Sequence, residues 1–239
     1  MQVSPTPSVD ALPKVVTSNR WFASLGAAHQ TALIRASRNI VLRDGQLAMT
    51  QGQSVRKRRD GLMLLIDGSL KVTSTSAAGR EALLTLVHPG QWFGELAILD
   101  GASRERDVRS VGVSEVLIVE PEAMAELMKD ASFTRHVVEL LSARTRMLLG
   151  LVEDFSMRSA RARTARRLVL LAHQDDTRST QARKDIIISH DALSSMLGMT
   201  RQTLAQQLKV LSEVGAIVQG YGRIVILSMV LLMAEASGT

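Results

Sequence analysis

The chain of 239 residues contains no cysteine. This absence excludes disulfide bonds, thiolate zinc sites and cysteine-ligated iron–sulfur clusters. Aromatic residues are scarce, with one Tyr, two Trp and four Phe, which argues against stacking of single-stranded bases on aromatic side chains. The most apolar stretch, residues 224–234, is too short to span a bilayer. The amino terminus lacks the apolar core of a signal peptide, so we expect a cytoplasmic protein without membrane contact.

Positive charge is concentrated in the last third of the chain. The formal net charge is +6. From residue 155 onward there are eleven Lys or Arg and six Asp or Glu, whereas the first 154 residues carry 18 and 17. A local excess of this kind favours binding to phosphates. The basic run at residues 56–59 is interpreted as a solvated loop, with a phosphate or partner contact as the alternative.

Residues 190–207 predict two helices joined by a tight turn at Gly198. Glycine adopts the positive φ of such a bend at little cost. Each helix has an apolar stripe at helical spacing. The stripes consist of Leu193, Met196 and Leu197 in the first helix and Leu204, Leu208 and Leu211 in the second. This spacing is typical of a helix-turn-helix, whose second helix enters the DNA major groove. An ordinary helical hairpin is the alternative.

The opposite side of the second helix is polar and suited to DNA. Thr200 is placed to cap this helix and to offer its N-terminus to a phosphate. Arg and Gln side chains make bidentate contacts with guanine and adenine edges. The residues that we assign to DNA binding are Ser189, Thr200, Arg201, Gln202, Thr203, Ala205, Gln206, Lys209 and Arg223.

A second hairpin follows the two helices. Residues 211–218 close a helix and begin a strand, residues 220–222 form a turn, and residues 223–227 return as a strand. Such a hairpin predicts a wing. Arg223 lies where a wing can contact backbone phosphate, and a solvated arginine is the other interpretation.

The first half of the chain has a different pattern. Residues 1–18 hold three of the five prolines and are expected to form a loose tail. Residues 21–37 have helical periodicity. From residue 40 to residue 119, short apolar runs are punctuated by glycine, which indicates a small barrel or sandwich. The expected strands include residues 62–66, 70–72, 82–87, 108–113 and 116–119.

The dipeptide Asp67-Gly68 separates two of these runs and predicts a hairpin turn. The chain from residue 121 onward is expected to be helical. Residues 158–167 are rich in arginine and are interpreted as a hinge before a helix over residues 168–172. The resulting domains are a tail (1–18), a barrel (19–125), a long helix (126–156) and a DNA-binding domain (157–239).

Within the long helix, six residues, all apolar except one arginine, fall at alternating steps of four and three. This heptad seam consists of Val137, Leu141, Arg144, Leu148, Leu151 and Phe155. A lone helix cannot bury such a seam, so it packs on its own barrel or on a second copy of the chain. We favour a parallel homodimer, because helix-turn-helix proteins usually bind two half-sites.

Two motifs resemble those of the Crp/Fnr family of bacterial transcription regulators. Residues 197–204 (LGMTRQTL) are similar to the helix-turn-helix core, and residues 93–104 (FGELAILDGASR) are similar to the cyclic-nucleotide cassette. The resemblance covers the chain from about residue 20 to its end. It implies an α+β fold: an amino-terminal cyclic-nucleotide-binding-like β-barrel (jelly roll), a long dimerisation helix and a carboxy-terminal winged helix-turn-helix. It also implies contact with RNA polymerase.

The cassette implies an effector site formed by Gly94, Glu95, Leu96, Arg104 and Glu105. In relatives that bind cyclic AMP, the residue at Glu95 accepts the ribose hydroxyl and the one at Arg104 pairs with the phosphate. Glu105 departs from the pattern, because the family has a Ser or Thr donor there and an ionised carboxylate has none. Three interpretations stay open: a structural relic, a pocket for a different small molecule, and a cyclic-nucleotide site. No cofactor is certain, and cyclic AMP is the least favoured effector.

Two other classes of function are alternatives to a DNA-binding regulator. A protein-interaction module would use the helical hairpin to bind protein, against which the charge distribution and the wing argue. An enzyme would need a constellation of catalytic groups, and the carboxylates of residues 95, 100, 105 and 107 have no nucleophile or metal-ligand cluster beside them. The sequence therefore predicts a DNA-binding regulator that acts as a homodimer.

Overall fold

The computed structural model describes residues 2–55, 60–173 and 184–238. The basic run at residues 56–59 lies outside these ranges, so its interpretation stays a prediction. The chain divides into two compact units, Met1–Leu141 and Ser142–Thr239. Each unit has its own hydrophobic core, as expected for separately folded domains.

The first unit is built around an antiparallel sheet with strand order β1-β2-β7-β4-β5, to which β3 adds on β7 and β6 on β4. Short helices precede and follow the strands. The elements are β1 (Gln2–Ser4), α1 (Lys14–Thr17), α2 (Arg20–Ser24), α3 (Ala27–Arg35), β2 (Ser37–Leu42), β3 (Leu47–Met49), β4 (Leu62–Thr75), β5 (Glu81–Val87), β6 (Trp92–Phe93), α4 (Leu96–Asp100), β7 (Asp107–Val119) and α5 (Pro121–Leu127). The long helix α6 (Ala131–Met157) follows and continues into the second unit.

Strand β4 is buried on both of its faces. Leu62 and Leu64 belong to a core that also contains Trp21 and Phe133, whereas Met63 and Leu65 belong to a second core on the other side. A strand covered on both sides needs no polar alternation. This explains the continuous apolar run at the start of β4.

The predicted hairpin at Asp67-Gly68 is wrong. Strand β4 runs through this dipeptide, and its register to β7 shifts on each side of Asp67, as in a β-bulge. Gly68 has φ +92°, and a Cβ there would collide with the carbonyl oxygen of Val113. Because the opposite strand β7 is also continuous, the two strands predicted at residues 108–113 and 116–119 are one.

The amino-terminal segment differs from the loose tail that we expected. Strand β1 pairs with β2, and Val16 has no exposed surface. A few apolar side chains are sufficient to anchor a short segment when each is fully buried. The helix expected over residues 21–37 is also divided, because α2 and α3 are separate helices and Ser37 begins β2.

The boundaries of the long helix are set by polar side chains at its start. The Asp130 carboxylate accepts hydrogen bonds from the Ser132 hydroxyl and from the backbone N–H groups of Ser132 and Phe133, and the Nε2 atom of His29 lies 3.1 Å away. These contacts hold the pKa of Asp130 well below its usual range. Helix α6 therefore begins at Ala131, after a separate α5, and not at residue 126.

In its described residues, the second unit holds the end of α6, four further helices and a small sheet with strand order β8-β10-β9. Strand β8 was not predicted, and neither was the last helix. The wing strands are confirmed. After α6, the elements are α7 (Ala160–Ala172), β8 (Asp185–Ile187), α8 (His190–Leu197), α9 (Arg201–Glu213), β9 (Ile217–Gly220), β10 (Arg223–Ile226) and α10 (Met229–Ser237). The arginine-rich stretch is mostly helical, because α7 begins at Ala160 and only residues 158 and 159 separate it from α6.

Candidate nucleic-acid interface

Local hydrogen bonds define the bend between α8 and α9. Gly198 has φ +59° and ends α8, and the backbone N–H of Met199 donates to the carbonyl of Ser194 over 3.1 Å. The Thr200 hydroxyl accepts the backbone N–H of Thr203 at 3.1 Å and caps α9. At the start of α8, Ser189 caps Ala192 in the same way. The predicted turn at Gly198 and the predicted cap at Thr200 are confirmed.

Helix α9 is strictly divided into a buried and an exposed side. Leu204, Leu208 and Leu211 have no exposed surface and pack in the core of the second unit. The DNA-binding candidates on the other side are exposed, except for Thr203, which is half-buried and lies 2.9 Å from the Thr200 hydroxyl. The exposed candidates of α9 are Arg201, Gln202, Ala205, Gln206 and Lys209.

Every cation in this candidate set has a carboxylate neighbour. Arg201 pairs through its Nε atom with Asp191 of α8. The Arg223 Nη1 atom lies 3.6 Å from Asp185 Oδ2, and the Lys209 Nζ atom lies 3.8 Å from Glu213 Oε1. The sequence pattern did not predict these acidic partners, because helical periodicity does not show which side chains of different elements come into contact.

The turn at the tip of the wing is exposed to solvent. Strands β9 and β10 pair in an antiparallel register from Arg223 opposite Gly220 to Ile226 opposite Ile217. Tyr221 at the turn is fully exposed, and Arg223 next to the turn is exposed as well. Ser189 and Thr200 are also exposed, so all the candidate residues except Thr203 have substantial solvent-accessible surface.

The cassette in the first unit surrounds a tight backbone turn at Gly94. This residue has φ +87°, a backbone conformation that L side chains rarely adopt. Glycine is therefore favoured here by its conformational freedom. Glu95 is buried, whereas Leu96 at the start of α4 is exposed.

The Arg104 guanidinium group is buried and donates hydrogen bonds to other groups of the protein. Its Nε and Nη2 atoms donate to the Asp60 carboxylate, its Nη1 atom donates to the Gly94 carbonyl, and its Nη2 atom also donates to the Gly61 carbonyl at 3.2 Å. Four of its five N–H groups thus have acceptors in the protein. The sequence did not predict that Asp60 pairs with Arg104, because Asp60 precedes Arg104 by 44 residues and belongs to no motif.

Two charged residues of the cassette have partners of opposite charge. Arg104 pairs with the Asp60 carboxylate. Glu105 is exposed, and its Oε2 atom lies 3.8 Å from Arg106 Nη2. An ionised carboxylate offers no donor to a phosphate. Arg104 and Glu105 therefore each have a charged partner within the protein.

The heptad seam of α6 divides into two parts. Val137 is buried in the core of the first unit, and Leu141 packs against the same core. Arg144 and Leu151 are half-buried, whereas Leu148 and Phe155 are at least half exposed. The first part of the seam thus packs on its own barrel, as one of the two alternatives predicted, and the later part stays exposed in the protomer.

A buried carboxylate connects the end of α6 to α7 and α10 within the second unit. Asp154 accepts hydrogen bonds from Arg158 Nε at 2.6 Å and from Arg166 Nε at 3.0 Å. Arg158 also donates to the backbone carbonyl of Ala236 at 2.7 Å. The Arg163 guanidinium lies 5.4 Å from the centre of the Phe155 ring. The stretch interpreted as a hinge is therefore rich in polar contacts.

The architecture defines a class of protein with an effector-type β-barrel and a DNA-binding winged helix. Comparison with known families agrees. Residues 39–131 match the cyclic nucleotide-binding domain, and residues 162–235 match the Crp-like helix-turn-helix domain. The chain belongs to the Crp/Fnr family of bacterial transcription regulators.

Several relatives share most of their length with this chain. It is 29% identical to the cyclic AMP receptor protein of Thermus thermophilus, over 74% of this chain and 80% of the relative. It is 27% identical to the transcriptional regulator SdrP of the same organism, over 75% of this chain and 87% of the relative. A crystal structure of a CRP-family regulator from that organism is similar, with a TM-score of 0.62 and 25% identity. The match covers 84% of this chain and 97% of the other chain.

A more distant structure supports the fold alone. FixK2 from Bradyrhizobium japonicum is 15% identical and has a TM-score of 0.70, over 85% of this chain and 98% of its own. Across the residues that the structure describes, no helix combines the length and the apolarity needed to cross a membrane.

Replacement of Arg104 by Ala tests the buried ion pair. The variant would leave Asp60 buried without its cationic partner, so we expect a loss of about 3 kcal/mol in the free energy of unfolding. Denaturant unfolding followed by tryptophan fluorescence measures it, because Trp21 and Trp92 both lie in the first unit. The matched control is Arg106→Ala, which removes an exposed arginine two residues away. Equal stability of the two variants would contradict the structural importance of the pair.

Proposed function

We propose that this protein is a sequence-specific regulator of transcription that acts as a homodimer on palindromic DNA. The observation that carries the proposal is the division of α9, in which three leucines are buried and Arg201, Gln202 and Gln206 are exposed. These are the side chain types that recognise base edges in the major groove. Binding to chromosomal DNA implies a cytoplasmic location, which is part of the proposal.

The proposed dimer is supported by the apolar surface of α6. Apolar side chains at the end of this helix are at least half exposed in the protomer, namely Leu148, Leu149, Val152, Phe155 and Met157. Leu148, Leu149, Val152 and Phe155 lie on one side of the helix, and an exposed apolar surface of this kind usually marks an interface. The heptad spacing of Leu148 and Phe155 favours a second copy of the same helix as the partner. A two-fold dimer then presents two reading helices to a two-fold symmetric site.

The proposed DNA site differs from that of the cyclic AMP receptor protein. The family often has Glu and Arg where this chain has Gln202 and Gln206. Gln pairs best with adenine, whereas Glu accepts from cytosine and Arg pairs with guanine. Arg201 keeps its expected preference for guanine. We therefore expect half-sites that differ from those of the cyclic AMP receptor protein at the base pairs contacted by residues 202 and 206.

We further propose that cyclic AMP does not control this protein. Support comes from the Asp60 carboxylate on Arg104 and from the acidic Glu105, which together disfavour a bound phosphate. The long helix offers Met147, Leu148 and Leu149 near the expected adenine contacts. A different small-molecule effector, or DNA binding that needs no effector, fits these residues better. Control by cyclic AMP is the alternative, which the name of the Thermus relative suggests.

Selection of genomic DNA fragments on the purified protein tests this function. We expect a palindromic motif that is recovered equally with and without cyclic AMP. Recovery only in the presence of cyclic AMP would contradict the proposal about the effector. Recovery of the unchanged consensus of the cyclic AMP receptor protein would contradict the base preferences assigned to Gln202 and Gln206. Failure to enrich any motif in either condition would indicate a required small molecule other than cyclic AMP, or the protein-interaction alternative.

Replacement of Leu148 by Asp tests the dimer. Leu148 is 56% exposed in the protomer, so the change should leave the protomer folded while placing a charge in the interface. We expect a monomer by analytical ultracentrifugation and a loss of binding to a full palindrome of at least about 100-fold, because one protomer contacts only one half-site. Arg146→Ala is the matched control. It changes the net charge by the same amount on the opposite side of the helix. A dimeric Leu148→Asp variant would disprove this interface.

A further inference from the structure

The ion pair between Asp191 and Arg201 connects the two helices of the helix-turn-helix. Asp191 lies in the first turn of α8, and Arg201 is the first residue of α9. Both side chains are mostly exposed, at 54% and 74%. The carboxylate is thus located on the same surface as the arginine proposed to contact DNA. A carboxylate repels the phosphates of a nucleic acid, so its position on this surface needs a compensating role.

The atoms of the ion pair indicate what this role is. The shortest contact of the pair joins Asp191 Oδ1 to Nε of Arg201. Guanine offers two adjacent acceptors, O6 and N7, in the major groove. An arginine held at Nε keeps its two terminal NH₂ groups as the edge that can donate to both acceptors. The same contact restricts the rotamers of a long side chain, whose ordering is otherwise costly in entropy.

The two other ion pairs on this surface differ in geometry. Arg223 contacts Asp185 through its terminal Nη1 atom, and Lys209 contacts Glu213 one turn further along the same helix. Neither arrangement fixes the direction of a planar donor pair toward a base. These carboxylates are expected to reduce the attraction to phosphates in general, without any effect on base preference.

We infer that Asp191 is a positioning residue that determines specificity, because it orients Arg201 for the bidentate recognition of one guanine. The inference rests on the proposed function, since it presumes that α9 enters the major groove. Asp191 itself makes no contact with the DNA in this arrangement. Its removal should therefore reduce discrimination at a single base pair while binding to unrelated DNA becomes no weaker.

The experiment compares three variants that each remove one carboxylate: Asp191→Ala, Asp185→Ala and Glu213→Ala. The full-length protein is titrated against its selected palindrome, against the same palindrome with the Arg201 guanine replaced, and against unrelated duplex DNA. For Asp191→Ala we expect a loss of about three- to tenfold in preference for guanine, a part of what one bidentate contact contributes. Asp191→Asn keeps an acceptor oxygen and should restore some of this preference.

The controls and a second background make the result decisive. Asp185→Ala and Glu213→Ala should raise affinity for all three duplexes by similar factors. In an Arg201→Ala background, Asp191→Ala should no longer change base preference. Unchanged guanine preference in Asp191→Ala would overturn the inference and leave the proposed function intact. Failure of the wild-type protein to prefer its palindrome over unrelated DNA would overturn both.

Discussion

Burial of the leucine stripe of α9 is the constraint on which the proposed interface depends. Leu204, Leu208 and Leu211 have no exposed surface, and full burial of each contributes roughly 1.5–3 kcal/mol. The stripe fixes the rotation of the helix about its axis. Residues at the intervening positions must then face solvent, and Thr200 fixes where the helix begins. The orientation of the reading surface is therefore a consequence of the core, and it does not require DNA to be present.

Charge on this surface is balanced more closely than the composition indicates. The last third of the chain is basic, yet Arg201 and Arg223 each have a carboxylate partner in the protein. Paired cations attract a polyanion less strongly than free cations. A regulator must distinguish its site from a large excess of other DNA, so weaker general attraction combined with directed base contacts favours specificity. Arg104 in the barrel shows the same pairing principle, there with a buried carboxylate.

Local patterns predicted the helix-turn-helix and the wing correctly, because helix periodicity, capping residues and a glycine turn act within a few residues. Failures arose where distant partners decide the structure. Asp67-Gly68 has the composition of a turn, but pairing with a long opposite strand makes it a bulge. Asp60 was missed because only the folded barrel brings it to Arg104. Strand β8 is three residues long, too short to give an alternating pattern.

In the proposed complex, two copies of α9 contact DNA in successive major grooves. Hydroxyl-radical footprinting of the wild-type protein on its selected site tests this arrangement. We expect two protected segments related by two-fold symmetry, with centres about 10–10.5 base pairs apart, or a multiple of this spacing. A single protected segment, or protection without two-fold symmetry, would contradict it.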